Sequence, residues 1–196
     1  MERTAQVWSI GHSTLPLGRL LELLEQNAIA VVADVRSHPV SRFSPQFSRD
    51  HLEPALLGAG LNYVFLGREL GGRPASPDFY DADGHALYWR MAESEPFAEG
   101  IARLLVWARR YRVAMLCSEE DPSACHRRLL VSRVLHERGV EVVHIRGDGR
   151  VEPESALRAG ERRHRQVSLV DSHEDPTWRS PQSVSHRSQQ KTSSSG

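Results

Sequence analysis

The chain has 196 residues, 39% of them hydrophobic and 26% charged, with a formal net charge of +0. That length supports one domain with a real core, and the balanced charge sets up no overall basic field to draw in nucleic acid, leaving only a local basic patch for that role. No apolar run reaches membrane-spanning length and the first residues lack the apolar core of a signal peptide, so the expected setting is a reducing cytoplasm, with no membrane partner.

The predicted elements alternate from the start of the chain. Residues 6–10 read as a strand. Gly11 allows a tight turn that leaves His12 at the strand end, with Ser13 or Thr14 as cap of the next helix. Leucines at 15, 17, 20, 21, 23 and 24 predict a helix over 15–26. The continuous apolar run 29–33 predicts a strand covered on both faces. Asp34 and Arg36 close it, either as part of a polar edge site or as an ion pair that orders the loop. Arg42 follows in an irregular loop of serines and prolines, then a helix over 48–57 and a strand over 61–66. The loop 67–74 holds Gly67, Gly71 and Gly72 with Arg68 and Arg73, a composition suited to contacting anions, although its spacing is neither a dinucleotide fingerprint nor a phosphate-binding loop. Residues 75–84 are polar, and 85–91 form a short helix with Tyr88 and Trp89. Ser94 and Pro96 open a helix that runs to about residue 110.

The stretch 113–127 concentrates the chemistry. An apolar run, 113–116, reads as a buried strand. It gives way to an acidic, Pro-containing loop and then to a helix over about 124–138. Both cysteines, Cys117 and Cys125, lie in this stretch with Glu119, Glu120, His126 and Arg127. Strand, polar loop and helix start is where open α/β proteins place their sites. A helix start also favours an anion or a thiolate. The alternative is that the cysteines fill core space and the charges solvate a loop. A last strand follows over 140–145. The domain ends near residue 150, an exposed helix is expected over 151–166, and the polar composition of 167–196 predicts a disordered tail.

This alternation gives the fold class: α/β, a single mostly parallel sheet flanked by helices, with a disordered C-terminal tail. Parallel strands gather His12, Asp34, Arg36, Arg42, Arg68, Cys117, Glu119, Cys125, His126 and Arg127 at one edge. The only lysine, Lys191, sits in the tail, so the domain offers no lysine for a Schiff base or a phosphate-binding loop and anions fall to arginine.

Several of these motifs resemble those of the DUF488 family of uncharacterised proteins. They are Gly11-His12-Ser13, Asp34-Val35-Arg36-Ser37 with Pro39 and Ser41-Arg42, Tyr63 ahead of Leu70-Gly71-Gly72, Cys117-Ser118-Glu119 leading to Cys125-His126-Arg127, and His144-Ile145. They run in the family's order over about residues 6–146, with Ser118 where the family often has alanine. The resemblance implies a cytoplasmic α/β domain with a polar site at these positions and brings no settled activity.

The residues themselves favour an enzyme with a cysteine nucleophile, Cys117 or Cys125, with Glu119 and His126 as catalytic partners. His12, Asp34, Arg36, Arg42, Arg68 and Arg127 would bind a small anionic or nucleotide-like substrate; nucleic acid is a further candidate partner. The phosphatase pattern of Cys and Arg separated by five residues is absent. A non-catalytic module for nucleic acid or a phosphorylated ligand is the alternative, and so is a metal site on Cys117, Cys125, His126 and His12. Seven residues between the cysteines are not a usual ligand spacing, and adjacent helical residues do not easily aim their side chains together, so no metal ligand is assigned. The sequence names no cofactor and no oligomeric state.

Overall fold

The apolar runs 7–10, 31–33 and 113–116 are buried throughout and form the centre of a six-stranded sheet. The computed structural model describes residues 6–164 and 178–185. The strands are β1 (Gln6–Gly11), β2 (Val31–Asp34), β3 (Asn62–Phe65), β4 (Val113–Cys117), β5 (Glu141–Ile145) and β6 (Val151–Pro153). The helices are α1 (Leu17–Gln26), α2 (Arg49–Gly58), α3 (Gly67–Leu70), α4 (Tyr88–Ala92), α5 (Glu95–Arg110), α6 (Arg133–Glu137) and α7 (Glu154–His164). The sheet order is β3-β2-β4-β1-β5-β6. All neighbours run parallel except β6, which returns antiparallel on β5.

Side chains alternate across each strand, so each face of the sheet buries its own cluster. Trp8, Ile10, Val32, Ala114 and Leu116 pack under α1 and α2. Val7, Val31, Ala33, Val113 and Met115 pack under α3 to α6. Gly11 lies opposite Cys117 and Asp34 opposite Leu116, which brings the carboxyl ends of β1, β2 and β4 level. The predicted architecture is therefore present, with local differences. α1 starts two residues later than predicted, with Pro16 rather than Ser13 or Thr14 in the capping position. The strand β6 was not expected from the sequence. α7 is less exposed than its composition suggests, because its first residue, Glu154, is buried.

The expected tail divides. Residues 167–177 and 186–196 lie outside the described residues. The stretch 178–185 packs along the edge of α4: Leu87 and Arg179 pair as an isolated bridge, and Trp178 joins the core beneath α4 to α6. Its low overall hydropathy concealed a single large anchor. Among the described residues, no helix is long and apolar enough to cross a membrane.

Candidate functional site

The site begins where β4 ends. Cys117 is the last residue of that strand, and the chain beyond it folds tightly over β1. A Cβ on Gly11 would lie 1.6 Å from the Glu119 carbonyl oxygen, so only glycine permits this close approach. Arg127 lies fully buried beneath the same loop. Its guanidinium donates to the Glu119 carbonyl and, at 2.6 Å, to the Glu120 carbonyl. Glu120 turns away, accepting from Arg146 at 2.8 and 2.9 Å and from the Gly147 backbone at 3.0 Å. The backbone is thus held from below and from the side, while the Glu119 side chain turns to the cysteines.

Cys117 and Cys125 both donate to Glu119 Oε2, each at 3.0 Å. Cys117 Sγ also lies 3.6 Å from His126 Nδ1. Cys125 follows a short 3-10 turn, Pro122–Ala124, and has extended backbone angles, φ −103° and ψ 138°. His126 is already helical, φ −58° and ψ −28°, and opens a π-helical turn, Arg127–Ser132, that runs directly into α6. That change of backbone conformation between neighbours lets both side chains face one point, which two helical residues do not readily do. The objection raised from adjacency alone does not apply to this loop. On its far side, His126 Nε2 lies 2.9 Å from the Val35 carbonyl. A carbonyl only accepts, so Nε2 carries a proton and, in the neutral ring, Nδ1 presents its lone pair to the sulfurs. Gly72 makes room for the imidazole: a Cβ there would lie 2.7 Å from the ring.

The electrostatics of the cluster are strongly coupled. Burial pushes the Cys117 thiol well above its ordinary value. Burial also opposes ionisation of Cys125, but hydrogen bonds with Cys117 and His126 outweigh it and bring Cys125 down to about 5. Desolvation likewise opposes the Glu119 charge, and the two thiols overcome it, holding the carboxyl at about 2. For His126, burial disfavours the cation, and the interaction with Cys125 more than compensates, raising its value. A thiolate at Cys125 and a carboxylate at Glu119, 3.0 Å apart, need a proton or a cation between them.

A second polar group adjoins this one. Arg36 Nε and Nη2 clasp Asp34 at 2.9 and 2.6 Å, and Tyr63 donates to Asp34 Oδ2 at 2.8 Å. Arg36 Nη1 donates to the Phe47 carbonyl at 2.8 Å and to His12 Nε2 at 3.1 Å. His12 Nδ1 donates to the Ser13 carbonyl, so Nε2 is the accepting nitrogen. Burial lowers the His12 imidazole below its ordinary value. Asp34 and Arg36 thus form a buried pair that orders the edge.

A family model described as "Domain of unknown function DUF488" matches residues 16–134, more than half of the chain. The chain belongs to the DUF488 family. No curated protein and no solved structure matches it.

Within this DUF488 chain Cys117, Glu119 and His126 line a cavity of about 380 Å³, and Cys125 lies behind its wall. Arg36 and Tyr88 also line it. Of the other predicted residues, Arg42 and Arg68 are exposed and lie outside the cavity wall, and Arg127 lies below the loop. Three contributors were not among the assigned site residues. Arg73 and His38 stand exposed at the rim, and the Arg73 guanidinium makes no ion pair among the described residues. Arg73 was legible only as the second arginine of its glycine-rich loop. The third contributor, Ser180, Pro181, Gln182 and Val184, closes one wall from beyond the family match; no sequence signal linked it to the site.

Proposed function

We propose that this DUF488 chain is an enzyme acting on a small anionic substrate, nucleotide-like in size, with the Cys117–Glu119–Cys125–His126 cluster as its reactive centre. One observation carries the reading: a thiol, a carboxylate and an imidazole meet in the wall of a cavity large enough for a small ligand. In the direct form of the chemistry, Cys117, the sulfur in the cavity wall, is the nucleophile. Burial keeps the proton on that thiol, so it passes to His126 Nδ1, 3.6 Å away, as the sulfur attacks. The Glu119 carboxylate, too weak a base to hold it, stabilises the imidazolium, and Cys125 supports the pair from behind. Arg73, which lines the cavity and makes no ion pair among the described residues, provides a guanidinium for the substrate anion, and Arg36 retains one Nη2 hydrogen beyond its bonds to Asp34, His12 and Phe47. Two free thiols sharing one carboxylate oxygen suit a reducing, cytoplasmic setting.

The test is a panel of nucleoside monophosphates and short single-stranded oligonucleotides, with products followed by chromatography. Turnover that disappears in Cys117→Ser is expected. Arg73→Ala is expected to raise KM about tenfold with kcat little changed, as for one lost charge-assisted hydrogen bond. The exposed Arg73 in the cavity wall also favours a second reading, a non-catalytic module for a phosphorylated ligand. Saturable, salt-sensitive binding with no product from any member of the panel would decide for that reading.

A further inference from the structure

We infer that Cys117, Cys125, His126 and Glu119 form a binding site for a divalent transition metal, zinc by the chemistry of its donors. The inference rests on the proposal that this cluster is the reactive centre and assigns its sulfurs a different role, as ligands rather than nucleophiles.

Geometry is the first support. Two sulfurs, one imidazole nitrogen and one carboxylate oxygen lie within 4.8 Å of one another. Tetrahedral zinc, with Zn–S near 2.3 Å and Zn–N near 2.0 Å, places sulfur and nitrogen roughly 3.5 Å apart. The Cys117 Sγ to His126 Nδ1 separation is 3.6 Å. The two sulfur–oxygen contacts of 3.0 Å are shorter, as expected where protons rather than a metal join these groups.

The surrounding structure is the second. The Val35 carbonyl accepts from His126 Nε2, which fixes the ring with Nδ1 toward the sulfurs. A carbonyl on the far nitrogen is the usual support of a metal-bound histidine. Arg127 and Gly11 hold the loop so that Glu119 closes the set.

Charge is the third. Two sulfurs and a carboxylate converge with one imidazole; Asp34 balances Arg36, while Arg127, whose partners are neutral backbone carbonyls, leaves a single positive charge beside the cluster. Metal binding releases both thiol protons, and a divalent cation then makes up the balance that one guanidinium leaves against two thiolates and a carboxylate. Sulfur and imidazole donors select zinc-like metals over magnesium or calcium, which take oxygen. Glu119 is the one exposed ligand of the four and faces the cavity. It is the ligand that an incoming anion or a water displaces, which would open a coordination position toward the substrate.

Elemental analysis of the full chain after gel filtration, together with titration of metal-free protein by Co²⁺ alone, tests this. The expected results are stoichiometric retained zinc and, with Co²⁺, a thiolate-to-cobalt charge-transfer band with the strong visible bands of tetrahedral coordination. Cys125→Ser should lower the charge-transfer band by about half, since one of two thiolates remains. Glu119→Gln, at an exposed position, should keep the sulfur band and weaken Co²⁺ binding, which preserves the test if the cysteine variant fails to fold. Absence of zinc and of any charge-transfer band in the wild-type chain, with both thiols alkylated equally with and without Zn²⁺, would overturn the inference. Nucleotide turnover in such a chain would leave the enzyme proposal standing on a free thiol. Cobalt binding without turnover would leave the metal centre standing and remove the proposed reaction.

Discussion

Arg127 holds Glu119 by its backbone: the guanidinium donates to the Glu119 carbonyl oxygen from a fully buried position beneath the loop. It therefore acts on the site through the loop and does not reach the cavity. Arg127→Ala removes two charge-assisted hydrogen bonds and leaves two inward carbonyls short of a donor. A loss of about 3 kcal/mol is expected, read as a lower urea midpoint with the slope unchanged. Arg127→Lys should not restore it, because a single ammonium lacks the planar fork that spans both carbonyls. Unchanged stability together with weakened anion binding would return Arg127 to the role of ligand contact.

The Asp34–Arg36 pair is a sharper case, since both side chains are almost wholly buried. Asp34→Asn leaves the Arg36 guanidinium buried without its counter-charge, and the expected cost is about 3–5 kcal/mol. Tyr63→Phe removes only the phenol hydrogen bond to Asp34 and should cost about 1 kcal/mol. Chemical denaturation of the two variants checks the order. Equal costs would mean that Asp34 is held mainly by Tyr63.

Ser9, His144 and Glu154 form a hydrogen-bonded chain, Ser9 Oγ to His144 Nδ1 at 2.7 Å and His144 Nε2 to Glu154 Oε2 at 2.8 Å. The order of groups is that of a serine hydrolase, but all three residues are buried, so no substrate meets the hydroxyl. Arg128 completes the network by donating to Glu154 at 2.9 Å. Glu154→Ala leaves His144 without its acceptor and Arg128 with Glu161 as its remaining counter-charge, at 2.8 Å, and should cost about 3 kcal/mol. Ser9→Ala should cost about 1 kcal/mol and leave any turnover unchanged. Loss of turnover in Ser9→Ala without loss of stability would contradict a purely structural network.

Most of the sheet was legible because continuous apolar runs such as 31–33 and 113–116 mark strands covered on both sides. Parallel direction then predicted that Asp34 and Cys117 would end at one edge, and they do. What the sequence could not supply was side-chain direction after each strand. Arg127 reads like a ligand-contacting arginine in its motif, yet helical phase turns it under the loop. Adjacent Cys125 and His126 looked divergent because both were read as helical, whereas an Asp121-capped 3-10 turn leaves Cys125 extended. Arg73 was one of two arginines in a glycine-rich loop, and only the folded chain separates it from Arg68. The stretch 178–185 reads as polar tail because composition averages hide one aromatic residue among serines.

That stretch offers a pH-dependent prediction. Trp178 inserts its ring into the core, donates from Nε1 to the Leu129 carbonyl at 2.8 Å, and lies under the Arg133 guanidinium. Arg179 pairs with Asp81, while the Ser180 and Val184 backbones donate to Ala86 and Gly84. Burial works against the Asp81 charge, but the His85 backbone N–H and the Arg179 guanidinium outweigh it and lower the carboxyl below its ordinary 3.8. A carboxyl lowered on docking contributes stability that is fully present above 3.8 and is lost as pH falls through the lower docked value. The protection factors of the Ser180 and Val184 amides against hydrogen exchange should therefore be flat from neutral pH down to mild acid and drop below it. Asp81→Asn should show reduced protection already at neutral pH and lose the acid step, because it keeps an acceptor for the His85 amide but not the charge for Arg179. Trp178→Ala should abolish protection of both amides, given the roughly 3–5 kcal/mol carried by a buried tryptophan. Since this segment forms one wall of the cavity, the same variant should raise KM for any substrate that the cavity accepts. Protection that survives Trp178→Ala would show that the backbone bonds alone seat the wall.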